Sequence, residues 1–322
     1  MRNFDNYAYT CTDNFLIKYR RFGHGGNRNS LENLNTGYKT NGISKETRKK
    51  IKKHVVVLNL FSEEKLFEDK NNQKVKGKCK FITLTLPADQ EHTDQFITKN
   101  LLGGFLNMCR KENVLRNYVW RAEKQKRGNI HYHIITDCIV SNSLIYRIWL
   151  RQCSKFGYLK KYSDKFSKMS FREYQFSQQS TGASRERLLY RYNKGEKNNW
   201  EKPNCTDVKN VEGTDGIIKY LSKYLSKENN SDNIVKGRVW AASEGVRAAA
   251  EVLYKNQEFN KTAYEHAEQI LRKEVEVFDF CEVCKCSLNS IFAWFPFLFE
   301  FISSEVLKVF RPVRPGLQTA LF

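Results

Sequence analysis

The sequence predicts an α+β protein: an antiparallel β-sheet with helices packed on one face, followed by a C-terminal helical extension. Three observations carry this. Lys80-Phe81-Ile82-Thr83-Leu84-Thr85-Leu86-Pro87 alternates apolar residues with threonine and stops at proline, the period-2 pattern of a strand with a terminator. Two further strand-like runs flank the turn candidate Lys126-Arg127-Gly128-Asn129. A pattern of helical period follows each of these units, so the order reads strand, helix, strand, strand, helix.

Taken in order, residues 1–53 are polar, with Gly23, Gly25, Gly26 and the basic run Arg48-Lys49-Lys50 continued by Lys52-Lys53. This reads as a polar basic N-terminal segment, either a solvated tail or linker or a contact for phosphate. Val55-Val56-Val57-Leu58-Asn59-Leu60-Phe61 is a short strand candidate, and a Lys-rich polar loop follows to about Lys78. Over 89–112 the apolar set Phe96, Leu101, Leu102, Phe105, Leu106 and Cys109 has helical spacing, and Gly103-Gly104 marks a weak point or a break. A hairpin over about 116–137 and a second helix over 142–155 complete the unit. Residues 157–210 form an insertion in which tyrosines and phenylalanines alternate with Lys and Arg. Such rings either stack on single-stranded bases, with cations following the phosphates, or simply pack a core.

Charge narrows the function classes. With 322 residues, 40% of them hydrophobic and 13% aromatic, the chain can bury a sizeable core, and wholesale disorder is excluded. Its 55 Lys and Arg against 35 Asp and Glu give a net charge of +20, which favours a polyanionic partner, nucleic acid first. Nine scattered cysteines and an N-terminus without an apolar signal segment point to a reducing compartment.

The chemistry centres on Ile130-His131-Tyr132-His133-Ile134-Ile135. On a strand His131 and His133 share one face and Tyr132 takes the other. Two imidazoles on a rigid face make half of a metal site. Val119-Trp120-Arg121-Ala122-Glu123 reads as the preceding strand and offers a carboxylate. Pairing sets Glu123 opposite His131 if the loop holds an odd number of residues, whereas a two-residue loop sets it opposite Tyr132 unless a bulge intervenes. Imidazoles with a carboxylate suit Mg²⁺ or Mn²⁺, with positions left for substrate oxygen. The plainer alternative is a histidine pair packed in a sheet.

Downstream, Gly216-Ile217-Ile218-Lys219-Tyr220-Leu221-Ser222-Lys223-Tyr224-Leu225-Ser226-Lys227 contains a tandem Tyr-Leu-Ser-Lys. As a helix it puts Tyr220 and Tyr224 one turn apart on one face, with Lys219, Lys223 and Lys227 on the next. A phenol can attack phosphorus and hold a strand covalently, but with a pKa of about 10 it needs activation. A divalent ion on the scissile phosphate and a nearby lysine provide it. Without that role the stretch is an amphipathic helix.

A Phe-Ile-Thr-Leu-Thr strand, a His-bulky-His strand with an upstream Glu, and a downstream Tyr-x-x-Lys-Tyr helix stand here in one order. Together they resemble the HUH endonucleases that initiate rolling-circle replication in single-stranded DNA phages and plasmids, nearest to those with two active-site tyrosines. The resemblance covers about residues 55–242, including Gly237-Arg238-Val239-Trp240, which looks like the strand after the tyrosine helix. It implies an RRM- or ferredoxin-like core over 54–242, with residues 243–322 as a helical and aromatic extension. It further implies His131, His133 and Glu123 as ligands of Mg²⁺ or Mn²⁺, Tyr220 and Tyr224 as nucleophiles, and Lys223 as their assistant. Tyr132 departs from the aliphatic residue more usual there. The implied partners are single-stranded origin DNA and a host polymerase and helicase, with no membrane, in the cytoplasm of a bacterial host. No Gly-x-x-x-x-Gly-Lys-Ser/Thr loop is present, so a fused helicase is not expected. A transposase or relaxase shares the chemistry, and a non-catalytic basic DNA-binding regulator is the alternative from another class.

In the extension, 243–275 reads as helical. Cys281, Cys284 and Cys286 offer three soft ligands where structural zinc wants four. The apolar run 291–302 is shorter than the roughly 20 residues of a membrane span and is interrupted by Pro296 and Glu300; it reads as a buried segment or a docking surface.

Overall fold

The computed structural model describes residues 7–11, 15–20, 45–68, 74–125, 127–211, 234–271, 275–277 and 281–310. In chain order they form β1 (Tyr7–Cys11), β2 (Phe15–Arg20), α1 (Lys45–Phe61), β3 (Lys65–Glu68), β4 (Lys74–Gly77) and β5 (Cys79–Thr85). A helical segment opens at Asp94–Phe96, makes a π-helical turn over Ile97–Leu102 and continues as α2 (Gly103–Lys111). Then come β6 (Tyr118–Lys124), β7 (Ile130–Thr136), α3 (Asn142–Lys155), α4 (Tyr158–Phe166), α5 (Phe171–Ser177), α6 (Arg185–Lys197) and β8 (Thr206–Val211). After β9 (Trp240–Ala242) follow α7 (Glu244–Lys255), α8 (Gln257–Ile270), β10 (Val275–Val277), β11 (Cys281–Lys285), α9 (Leu288–Trp294) and α10 (Pro296–Leu307).

The protein is α+β, as its sequence predicts. The central sheet has the order β8-β5-β7-β6-β9, antiparallel throughout. Its first face carries Ile82, Leu84, Trp120, Ala122, Ile130, Tyr132 and Ile134, packed against Phe105 of α2 and Ile145, Ile148 and Trp149 of α3. This is the helix-covered face the sequence pattern describes. Among the described residues, the apolar packing on the second face lies at one end. There Phe81, Val119, Ile135 and Ala242 meet α1 and α7 in a second core. The far end of the same face carries Thr85, Glu123 and His131, with Thr83, Arg121 and His133 between. A separate sheet, β1-β2-β11-β10, joins strands from the two ends of the sequence.

One expectation needs correction, and one open alternative is decided. Residues 55–61 are helical, not a strand: α1 begins at Lys45 and runs across residue 53. Ile51, Val55, Leu58 and Phe61 fall at steps of four, three and three and are all buried, so the helical period extends back through the lysine-rich stretch. Burying that face overrides the strand preference of Val. The 157–210 insertion ends in β8, an outer strand of the central sheet. Its aromatics mostly pack: Tyr174, Tyr192 and Trp200 are buried in a small core with Tyr162, Phe166 and Phe171 against it, while Phe176 and Tyr190 are exposed.

The break at Gly103-Gly104 coincides with the return from π-helical to α-helical hydrogen bonding at Leu102. The extension is helical over α7 and α8. In α10, Leu298, Ile302 and Val306 are buried in the second core, and Phe297 and Phe301 are partly exposed. Among the described residues no single helix is long and apolar enough to cross a membrane; α9 and α10 would have to do so together, across a 117° bend.

Candidate metal centre

The site is built on one hairpin. Lys124 pairs with Ile130, and the Gln125 amide donates to the Asn129 carbonyl at 2.8 Å. Three residues, 126–128, remain at the tip. Gly128 takes φ +85°, the left-handed position such a loop requires, and its amide closes the turn on the Gln125 carbonyl at 2.8 Å. The odd loop length fixes the register, and Glu123 stands directly across from His131 and Arg121 across from His133.

The turn is also docked from outside. Asn129 accepts from the Gln90 amide at 2.9 Å and donates to the Ala88 carbonyl at 3.0 Å, while Gln90 Oε1 receives the Ile130 amide at 2.7 Å. On the first face Tyr132 is fully buried, its ring edge-on to Trp120 and Trp149, its hydroxyl 2.8 Å from Thr98 Oγ1 in the π-helical turn. The phenol thus fits where an aliphatic residue was expected because the π-helical turn brings it a polar partner.

On the second face both Nε2 atoms converge on one carboxylate oxygen: His131 Nε2 lies 2.7 Å and His133 Nε2 3.0 Å from Glu123 Oε1. One ligand atom from each residue lies within 4.8 Å of the others. Burial opposes ionisation of Glu123, but the hydrogen bonds from His131 and His133 outweigh it and hold the carboxyl well below the usual carboxylate range. Burial lowers the His133 pKa despite its bond to Glu123, so that imidazole is neutral, the form a metal binds. His133 Nδ1 faces Thr83 Oγ1 at 3.2 Å, and its ring stacks on Phe81 at 5.2 Å. A hydroxyl both donates and accepts, so Thr83 serves either tautomer, as an outer partner should.

The donor set fits a divalent ion. Two imidazole nitrogens and a carboxylate oxygen converge from rigid strands on a point at the far end of the second face, and His131 Nδ1 is buried without a partner among the described residues. Glu123, His131 and His133 could hold a metal; among the described residues no other His, Cys, Asp or Glu group has ligand geometry. Cys284 and Cys286 are buried, and the Cys281 side chain lies outside the described residues. Burial pushes the Cys79, Cys138 and Cys205 thiols up to about 12, which keeps them unreactive.

Residues 79–229 match a family of replication-associated proteins, the ORF2 type. No curated protein and no solved structure matches the chain. The replication-associated match takes in the whole Glu123, His131 and His133 group, as well as Tyr220, Lys223 and Tyr224. It supports a role in replication initiation, is consistent with a rolling-circle initiator, and suggests endonuclease activity. Tyr220, Lys223 and Tyr224 themselves lie outside the described residues.

One residue of the site face, Arg121, is not singled out by the sequence pattern. It stands on the same face as Glu123, is 3% exposed, and its Nε and Nη1 have no hydrogen-bond partner among the described residues. Period-2 counting back from Glu123 identifies it, but nothing in the sequence says its guanidinium is left unpaired.

Proposed function

We propose that this protein is a replication initiator that nicks and rejoins single-stranded origin DNA through a tyrosine-linked intermediate. The observation that carries this reading is the convergence of two strand imidazoles and a carboxylate at one end of a sheet face, inside the span that matches the replication-associated family. Bound there, Mg²⁺ or Mn²⁺ supplies Lewis-acid polarisation of the scissile phosphate.

The chain's own groups do the rest. The Oη of Tyr220 or Tyr224 forms a bond to phosphorus as the bond from phosphorus to the 3′ oxygen breaks. The phenol gives up its proton, and the leaving oxygen gains one and becomes a 3′ hydroxyl that primes a host polymerase; a host helicase opens the duplex. Lys223 offsets the charge that develops on the way. The phosphotyrosine keeps the bond energy, so the second tyrosine or the new hydroxyl can reverse the exchange and close a circle without ATP. Arg121 adds a buried positive charge beside the ligands, which suits a phosphodiester anion.

The C-terminal side of the tyrosine segment is fastened on the first-face side of the sheet, where Val235 is buried in that core: the Lys236 amide donates to Asp94 Oδ2 at 2.9 Å while Asp94 Oδ1 pairs with Lys124 at 2.6 Å. Gly237 at φ +99° then turns the chain into β9, where the Val239 carbonyl receives the Ala122 amide at 2.8 Å. The step from Tyr224 to Lys236 is 12 residues, and a chain of that length spans up to roughly 40 Å when extended.

The test is capture of the covalent product. Wild type with Mn²⁺ and a single-stranded origin oligonucleotide labelled on its 3′ side should give a denaturation-resistant protein–DNA adduct. Tyr220→Phe with Tyr224→Phe should abolish the adduct and leave DNA binding in place. An adduct persisting in that double variant removes the tyrosines from the mechanism.

A further inference from the structure

A groove of about 1060 Å³ runs along the outer edge of β9. It lies between the helical segment at residues 95–106 and the start of α1, and among the described residues no further strand pairs with β9 there. Three exposed cations line it, Lys99, Arg238 and Arg247, together with the half-buried ring of Trp240; among the described residues no carboxylate does. We infer that this groove is the channel for the single-stranded DNA that flanks the nick site, an inference that rests on the function proposed above.

The argument is one of charge, rings and register. Cations spaced along a groove follow a phosphate backbone, and a half-buried indole such as that of Trp240 offers a face on which bases stack without sequence preference. The groove wall is two strands away from the metal site in the sheet register. Trp240 stands directly across from Arg121, and Arg121 stands across from His133. Arg121, with two nitrogens that lack partners among the described residues, thus stands in register between a residue of the groove wall and a ligand, so a DNA strand that leaves the groove across β9 and β6 would run toward Glu123, His131 and His133. An exposed strand edge also fits an extended peptide, but a lining with three cations and no carboxylate favours a polyanion.

The experiment measures binding, in EDTA to prevent cutting, of a labelled 20-nucleotide single strand to wild type and to the triple variant Lys99→Ala, Arg238→Ala, Arg247→Ala. The triple variant should bind about tenfold or more weakly near 0.1 M salt, and the slope of log K against log salt should be shallower by about 2, at roughly 0.7 per lost phosphate contact. Its melting shift on adding Mn²⁺ should equal that of wild type, which shows that fold and triad are intact. Unchanged affinity and slope in the triple variant overturn the channel, and leave the β9 edge to a peptide partner. If wild type forms the tyrosine adduct while the triple variant binds as wild type does, only the channel falls. If wild type binds no single strand, the proposed function falls with it.

Discussion

Glu123→Gln is the substitution that tests the site most directly, because glutamine keeps the size and one oxygen while it removes the charge and turns the other oxygen into an NH2 donor. Without metal, Glu123 Oε1 takes N–H bonds from His131 and His133 at 2.7 and 3.0 Å. Bonds to a charged group contribute about 1.5–3 kcal/mol each and neutral ones about 0.5–1.5, so the variant should be less stable by about 2 kcal/mol. Arg121 adds to this, since its buried guanidinium loses the carboxylate acting on it. Metal sharpens the contrast. At a hundredfold excess over Kd, Mn²⁺ stabilises a one-site protein by about 2.7 kcal/mol, which at roughly 2–4 °C per kcal/mol raises Tm by about 5–10 °C. Losing a direct anionic ligand should weaken binding by at least the roughly hundredfold that an outer partner can cost. At the same Mn²⁺ concentration the gain in the variant then falls to about 0.4 kcal/mol, a shift near the limit of detection. The assay is a thermal melt of both proteins with EDTA and with Mn²⁺. A full Mn²⁺ shift in the glutamine variant would refute the ligand assignment.

Three further outcomes follow from neighbouring contacts. Arg121→Met removes a buried charge with two unpartnered nitrogens but also the cation that acts on Glu123, so the two effects oppose each other in stability, while strand cutting should slow by roughly 10²-fold or more; denaturant melts show that the variant is folded, single-turnover cleavage reads the rate, and full-rate cutting by the folded variant would discard a role for the guanidinium. Burial opposes the Asp94 charge, but hydrogen bonds from Lys124, Gln90 and the Lys236 amide lower its pKa. Its stabilisation is therefore present above the unfolded value of about 3.9 and lost as pH falls through the lowered one. Asp94→Asn should cost about 1–3 kcal/mol at pH 7 and show a smaller loss between pH 7 and pH 3 than wild type, read by urea denaturation; equal losses would mean that Asp94 is not ionised in that network. Tyr132→Phe removes the 2.8 Å bond to Thr98 and should cost about 1 kcal/mol with Mn²⁺ binding unchanged, and a lost Mn²⁺ shift would show that the first face controls the ligands.

How much of this was legible depends on the range of the signal. Strand period alone put His131 and His133 on one face, and the Glu123–His131 register needed only the parity of the loop. The helices over 94–111 and 142–155 were legible because their apolar residues recur locally. Residues 55–61 misled because four consecutive β-branched or leucine side chains look like a strand unless Ile51 is counted with them. The β1-β2-β11-β10 sheet was out of reach, since it pairs Leu16 with Cys284 and no local pattern signals so distant a partner. The unpaired state of Arg121 was equally hidden, being a property of what the fold fails to place beside a side chain.

The distribution of cores over the central sheet explains why the site sits where it does. Both faces are packed at the Phe81, Val119 and Ile135 end, whereas the Thr85, Glu123 and His131 end of the second face carries the polar groups. The strands are therefore clamped at one end by apolar burial, and their other end can carry a charge cluster without unfolding the sheet. The first face makes this possible, because Tyr132 and the Trp149 indole, which donates to the Thr85 carbonyl at 2.8 Å, hold the strand ends beneath the ligands. A stiff ligand platform of this kind holds a cation in fixed geometry, but it has no room for a phenol among its inward-facing residues. In the proposed function the nucleophile therefore comes from a separate segment, the one that carries Tyr220 and Tyr224.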